Sequence, residues 1–161
     1  MTKVLTYSRT FPAFHPKKGQ PTHFVEKLIE GFLELGDIEI TDDQLNLCDF
    51  SVMRPDVWSK YTTIRAGNNW KAGDMFSPRV WSGKPYNSPQ IIIAPDIRIE
   101  KVWDVEVDED LCLWIVGGDE QDEGILEKVA RNDGLELQDL LSWFNKPMSG
   151  QIICWNKNIE Y

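Results

Sequence analysis

The sequence contains little of what metal sites and disulfide scaffolds need. Its 161 residues include three cysteines and two histidines. Cys48, Cys112 and Cys154 lie far apart and form no Cys-x-x-Cys pair, so we expect free thiols rather than a zinc site or a disulfide framework. His15 and His23 both lie near the N-terminus and offer little to a histidine metal site or a Ser-His triad. The sequence therefore predicts a protein that uses no metal and no cofactor.

Long apolar runs are also missing. No segment approaches the roughly 20 apolar residues of a membrane-spanning helix, and residues 1–5 lack the apolar region of a signal peptide. We therefore expect a soluble, cytoplasmic protein with no membrane partner. With 42% hydrophobic residues, the chain can bury one core without covalent staples, which excludes the disordered and fibrous classes.

The net charge of -9 argues against a uniformly basic nucleic-acid surface, and we expect no duplex DNA partner. The charge is uneven, however. Residues 51–103 hold eight basic and four acidic side chains, whereas residues 104–161 hold four basic and fourteen acidic ones. Four of the seven tryptophans lie in the basic stretch: Trp58, Trp70, Trp81 and Trp103. Cations interleaved with aromatic rings suit a single-stranded RNA or a nucleoside; alternatively, the tryptophans form core and the lysines a solvated rim.

Hydrophobic periodicity predicts an α+β fold. A helix is expected over residues 21–35, with Pro21 in its first turn and Gly36 at its end. Strand patterns occupy residues 4–8, 75–81, 90–94, 97–107, 111–116 and 151–155, and helical patterns occupy residues 119–131 and 136–144. Short strands with two late helices predict a small, mixed or largely antiparallel barrel. We expect a single domain over residues 1–161, in which residues 1–50 are an N-terminal elaboration.

The segment from Lys60 to Arg65 has the strongest chemical pattern. Read as a loop that enters a strand, it places Thr63 and Arg65 on one face and Ile64 on the other, because side chains alternate along a strand. Lys60 would reach the same polar face from the loop. A lysine, a hydroxyl and a guanidinium on one face could stabilise an anion or form a nucleophilic site.

Lys60-x-x-Thr63-x-Arg65, followed by Gly73-Asp74, resembles the signature of the ASCH domain, a PUA-like β-barrel family linked to RNA metabolism. Residues 130–144 resemble the helical insert of that family, and residues 151–155 resemble its closing strand. The resemblance covers roughly residues 55–157. It implies a PUA-like barrel with two inserted helices before the last strand.

One bacterial branch of this family consists of N(4)-acetylcytidine amidohydrolases with a catalytic lysine, threonine and glutamate, and another member is reported as a ribonuclease. The resemblance puts the lysine on Lys60, the threonine on Thr63 and the glutamate on Asp133, whose side chain is one methylene shorter. Thr63 would attack the acetyl carbonyl and Lys60 would take its proton, which requires a neutral lysine. Asp133 would protonate the leaving amine or position the edge of the nucleobase, and either role requires a raised pKa.

Further candidates for substrate binding combine cations, amides and rings around this motif: Arg65, Asn69, Trp70, Arg79 and Trp81. Alternation along the next strand puts Arg79 and Trp81 on one face. Three hypotheses stay open for these residues, namely catalysis, binding without chemistry, and a structural role with a Lys60–Asp133 ion pair. A contrasting hypothesis is a protein-interaction module that docks partners through the acidic C-terminal third and the N-terminal helix.

Overall fold

Nine strands and four helices form the part of the chain that the structure describes. This structure is a computed structural model, and it describes residues 2–49, 51, 58–109 and 113–161. In chain order the elements are β1 (Thr2–Tyr7), α1 (Phe24–Leu35), α2 (Asp42–Leu45), β2 (Thr62–Ala66), β3 (Met75–Trp81), β4 (Gln90–Ile92), β5 (Ile97–Arg98), β6 (Lys101–Val107), β7 (Trp114–Val116), β8 (Asp119–Glu120), α3 (Glu123–Asn132), α4 (Leu137–Trp143) and β9 (Met148–Cys154).

The strands form two sheets. In the first sheet β3 pairs in parallel with β1 on one side and antiparallel with β4 and β5. The second sheet is antiparallel, in the order β2-β9-β6-β7-β8. The predicted α+β class with a small mixed sheet fold is therefore confirmed. Closure of these sheets into one barrel stays a prediction.

Apolar side chains from both sheets and the helices share one core. Members with no exposed surface include Leu28, Phe32, Phe76, Ile93, Ile99, Trp114, Val129, Leu140 and Ile152. Trp155 connects α1 to the first sheet, because its ring lies 6.0 Å from that of Phe32 and 5.4 Å from that of Phe76. The N-terminal part of the chain is thus built into the core, through β1 beside β3 and through the buried face of α1.

Most predicted elements are present, and their bounds differ for local reasons. Helix α1 begins at Phe24 rather than Pro21, since the Phe24 amide already donates to the Thr22 hydroxyl at 3.3 Å. The strand expected over residues 97–107 is interrupted, because the Ile99 and Glu100 amides donate to Asp74 and Cys154 carbonyls. The helix expected from residue 119 begins at Glu123, and residues 119–120 pair as β8 instead. Asp122 accepts from the Ile125 amide at 3.0 Å and sets this start.

Some expectations concern residues outside the described ranges. The strand expected over residues 111–116 is seen from Trp114 onward, and Leu111 and Cys112 lie outside the described residues. Cys48 and Cys154 are free thiols. Within the described ranges, no helix has the length and apolar composition to cross a membrane.

Candidate functional site

A cavity of about 400 Å³ opens where the two sheets meet the helices. Strand β1 contributes Tyr7, β2 contributes Thr63 and Arg65, and β3 contributes Trp81. Parallel pairing of β1 with β3 sets Tyr7 opposite Val80, which explains how the N-terminal strand reaches this wall. The volume lies within the usual range of small-molecule sites.

Lys60 and Asp133 form a buried ion pair on this wall. Lys60 Nζ donates to Asp133 Oδ1 at 3.0 Å and also to the Asp133 backbone carbonyl. Lys60 is 1% exposed and Asp133 is 4% exposed. Backbone hydrogen bonds hold the two residues next to each other. The Lys60 amide donates to the Lys27 carbonyl of α1, and the Tyr61 amide donates to the Asn132 carbonyl at the end of α3. Asp133 directly follows Asn132 as the C-cap of α3.

Burial destabilises the charged forms of both Lys60 and Asp133 relative to their neutral forms. Desolvation lowers the pKa of Lys60 to about 8, although the Asp133 carboxylate opposes this shift. Desolvation also raises the pKa of Asp133, and the Lys60 charge opposes that rise. The Arg65 charge lowers the pKa of Lys60 further. A lysine with a pKa near 8 carries a useful neutral fraction at physiological pH, as a general base requires.

Thr63 and Arg65 lie on β2 with the alternation that the sequence predicts. Thr63 is 4% exposed and borders the cavity, and among the described residues no group hydrogen-bonds its hydroxyl. Arg65 donates from Nη2 to the Thr6 carbonyl at 2.7 Å, and its guanidinium lies 5.4 Å from the Tyr7 ring centroid. Burial raises the pKa of Tyr7, which keeps this hydroxyl protonated beside the guanidinium. The Thr63 hydroxyl is therefore free to meet a ligand.

Lys27 is a second buried lysine next to this pair. Its Nζ donates to the Gly134 carbonyl at 2.7 Å, and its pKa falls to about 8 through burial and the Lys60 charge. The sequence contains a signal for it, since Lys27 occupies the apolar stripe of α1 three residues after Phe24. Gly134 has φ +81, and a Cβ there would lie 3.3 Å from Lys27 Cδ and 3.4 Å from Lys60 Cβ. A side chain at position 134 would therefore crowd Lys27 and would touch Lys60 at an ordinary contact distance.

Three of the eight predicted site residues lie away from the cavity and make contacts elsewhere. The Trp70 amide donates to Gln151 Oε1 at 3.0 Å, and its ring faces Lys3 Nζ. The Asn69 carbonyl accepts from Lys3 Nζ. Arg79 donates to Ser77 Oγ at 3.1 Å. None of Asn69, Trp70 and Arg79 lines the cavity. For Asn69 and Trp70 the reason is the turn at Gly67, which has φ +87 and directs the chain away after β2. Arg79 lies on β3 and is bound to Ser77 and Gln90 instead.

The other five, Lys60, Thr63, Arg65, Trp81 and Asp133, line the same cavity. Sequence patterns missed Tyr7, Phe24 and Tyr86, which also line it and which no short motif marks. Within the described ranges, no group of three or more His, Cys, Asp or Glu side chains is arranged to hold a metal ion. Comparisons of the chain with protein-family models, with curated proteins and with solved structures found no match.

Proposed function

We propose that the cavity binds a modified nucleoside and hydrolyses the amide bond of an N-acylated cytidine. The observation that supports this proposal is that three groups line the same cavity: the buried Lys60 with its lowered pKa, the free Thr63 hydroxyl and the buried Asp133 carboxyl group. These are the parts of a nucleophile, a general base and a proton donor. The short resemblance to the ASCH amidohydrolases agrees with the same assignment of Lys60, Thr63 and Asp133.

In the proposed first step, Thr63 Oγ1 attacks the acyl carbonyl carbon while neutral Lys60 takes the hydroxyl proton. The C–N bond of the tetrahedral intermediate then breaks, and the cytidine amine leaves with a proton from Lys60 or Asp133. Water hydrolyses the Thr63 ester, which releases the carboxylic acid and restores the hydroxyl. Arg65 stabilises the negative charge that develops on the acyl oxygen.

The hydrogen bonds of Lys60 suit the role of base. A neutral amine has two N–H groups and one lone pair. Its two N–H groups match the two Asp133 oxygens that accept from Nζ, so the lone pair is left for an incoming proton. Asp133 therefore orients Lys60, and its raised pKa lets the carboxyl group carry a proton during the cycle. The shorter acid side chain is accommodated because Asp133 sits directly at the end of α3.

Binding of a nucleoside without chemistry is the second candidate, and it uses the same cavity with Trp81 as the ring contact. The docking hypothesis finds less support in the packing of α1. Eight of the twelve residues of this helix are buried, so it offers little apolar surface to a partner.

The test is to incubate the protein with N(4)-acetylcytidine and to separate cytidine and acetate by chromatography. We expect release by the wild type and none by Lys60→Met. No release at stoichiometric protein would contradict the hydrolytic proposal. Intrinsic tryptophan fluorescence with cytidine then decides whether the cavity binds a nucleoside without chemistry.

A further inference from the structure

An exposed tyrosine stands at the rim of the cavity. Tyr86 is 86% exposed, more than any other large hydrophobic residue in the described ranges, and it borders the cavity beside Trp81. The two ring centroids lie 5.2 Å apart with an interplanar angle of 47°. A ring in solvent contributes nothing to the core, and its place at the rim makes it available to a ligand in the cavity.

The turn between β3 and β4 holds this ring in place. Tyr86 has φ +64, a left-handed backbone conformation that is unfavourable for a residue other than glycine. Ser88 fixes the turn, since its hydroxyl accepts from the Gly83 amide at 3.0 Å and donates to the Lys84 carbonyl at 2.9 Å. The Asn87 amide also donates to the Lys84 carbonyl, at 3.1 Å. A well-bonded turn therefore presents a strained, solvent-exposed ring at the mouth of the candidate site.

Ring spacing decides which face of Tyr86 can receive a ligand. A planar group inserted between two rings needs them about 7–8 Å apart, twice the optimal carbon–carbon separation. The 5.2 Å between the Trp81 and Tyr86 centroids is too short for insertion. Trp81 therefore backs the tyrosine, and the outer face of Tyr86 is the available surface.

We propose that the outer face of Tyr86 stacks on the nucleobase next to the cytidine in the cavity, so that the substrate is single-stranded RNA rather than a free nucleoside. This inference rests on the proposed function. Stacking on one aromatic ring tolerates any base. Two exposed cations adjoin this rim, Arg9 on the cavity wall and Lys84 within the turn, and they suit the phosphates on either side of that base.

The test compares three probes: free N(4)-acetylcytidine, an RNA trimer with N(4)-acetylcytidine between two adenosines, and the same trimer with abasic riboses at both ends. Tyr86→Asn removes the ring and tolerates the left-handed backbone, whereas Tyr86→Phe keeps the ring. Phe14→Ala is the matched control, since Phe14 is 57% exposed and does not line the cavity. Both kcat/KM and equilibrium binding of the non-acetylated trimers are measured.

We expect the wild type to prefer the adenosine trimer over the abasic trimer by roughly five- to a hundredfold. Tyr86→Asn should lose that preference, and Tyr86→Phe and Phe14→Ala should keep it. Equal kcat/KM values for the two trimers in the wild type would overturn the inference and leave hydrolysis of the free nucleoside standing. An unchanged preference in Tyr86→Asn would do the same, and it would show that the ring serves a partner of another class, such as a protein. A ring-dependent preference in binding without turnover would instead support the inference and contradict the hydrolytic proposal.

Discussion

Lys60 Nζ and Asp133 Oδ1 lie 3.0 Å apart, and both side chains are almost completely buried at the wall of one cavity. A buried ion pair is weak evidence for stability, because desolvation of two charges offsets their attraction. The pair instead holds the lysine in one place and keeps its pKa near the working range of a base.

The first prediction concerns the pKa of Lys60. Titration of its ¹³Cε chemical shift should give a midpoint near pH 8, because burial lowers the pKa from its ordinary value of 10.5. Asp133→Asn should lower the midpoint further, since the carboxylate favours the charged lysine. A midpoint near 10.5 in the wild type, or a higher midpoint in Asp133→Asn, would refute this account of the pair.

The second prediction concerns folding stability. Lys60→Met should lower the free energy of unfolding by about 3–5 kcal/mol at pH 7, because Asp133 is left buried without its cation. Lys60→Met with Asp133→Asn should be more stable than the single variant, since the carboxylate that lost its cation is replaced by a neutral amide. Urea denaturation provides both measurements.

The same single variant should show a defined pH dependence. Without the lysine, the folded-state pKa of Asp133 rises further above its unfolded value, so the folded state binds more protons than the unfolded state. The stability of Lys60→Met should therefore fall as the pH rises from 5 to 7. A double variant no more stable than Lys60→Met would show that the two charges do not interact as described.

The third prediction compares two glycines that have similar backbone φ angles but different neighbouring atoms. Gly134 has φ +81 and packs against Lys60, whereas Gly36 has φ +78 and has no atom within 4 Å of an added Cβ. Gly134→Ala and Gly36→Ala should both lose roughly 1–2 kcal/mol of stability from the positive φ. Gly134→Ala alone should also reduce turnover, because the added Cβ would lie 3.3 Å from Lys27 Cδ and crowd the two buried lysines. Equal turnover in the two variants would show that the packing of Gly134 does not position the lysine.

The sequence motif predicts the local part of the site well, because alternation along one strand is enough to put Thr63 and Arg65 on the same face. Asp133 lies 73 residues from Lys60 in the chain and was found through a resemblance rather than through periodicity. Tyr7 and Tyr86 reach the cavity only through the pairing of β1 with β3 and through the turn before β4, which no short pattern encodes. Proximity in sequence misled the prediction for Asn69 and Trp70, because the turn at Gly67 directs them elsewhere.

The fourth prediction tests the central claim, that Thr63 is the nucleophile of an amide hydrolysis. Thr62→Val is its matched control, since Thr62 is the adjacent buried threonine on β2 and does not line the cavity. Cytidine release from N(4)-acetylcytidine is measured at pH 8.5, above the pKa of Lys60, together with the mass of the Thr63 peptide after rapid quenching. We expect the wild type and Thr62→Val to release cytidine and to carry an acetyl group on Thr63, and Thr63→Val to do neither. Release of cytidine by Thr63→Val at the wild-type rate would contradict the account.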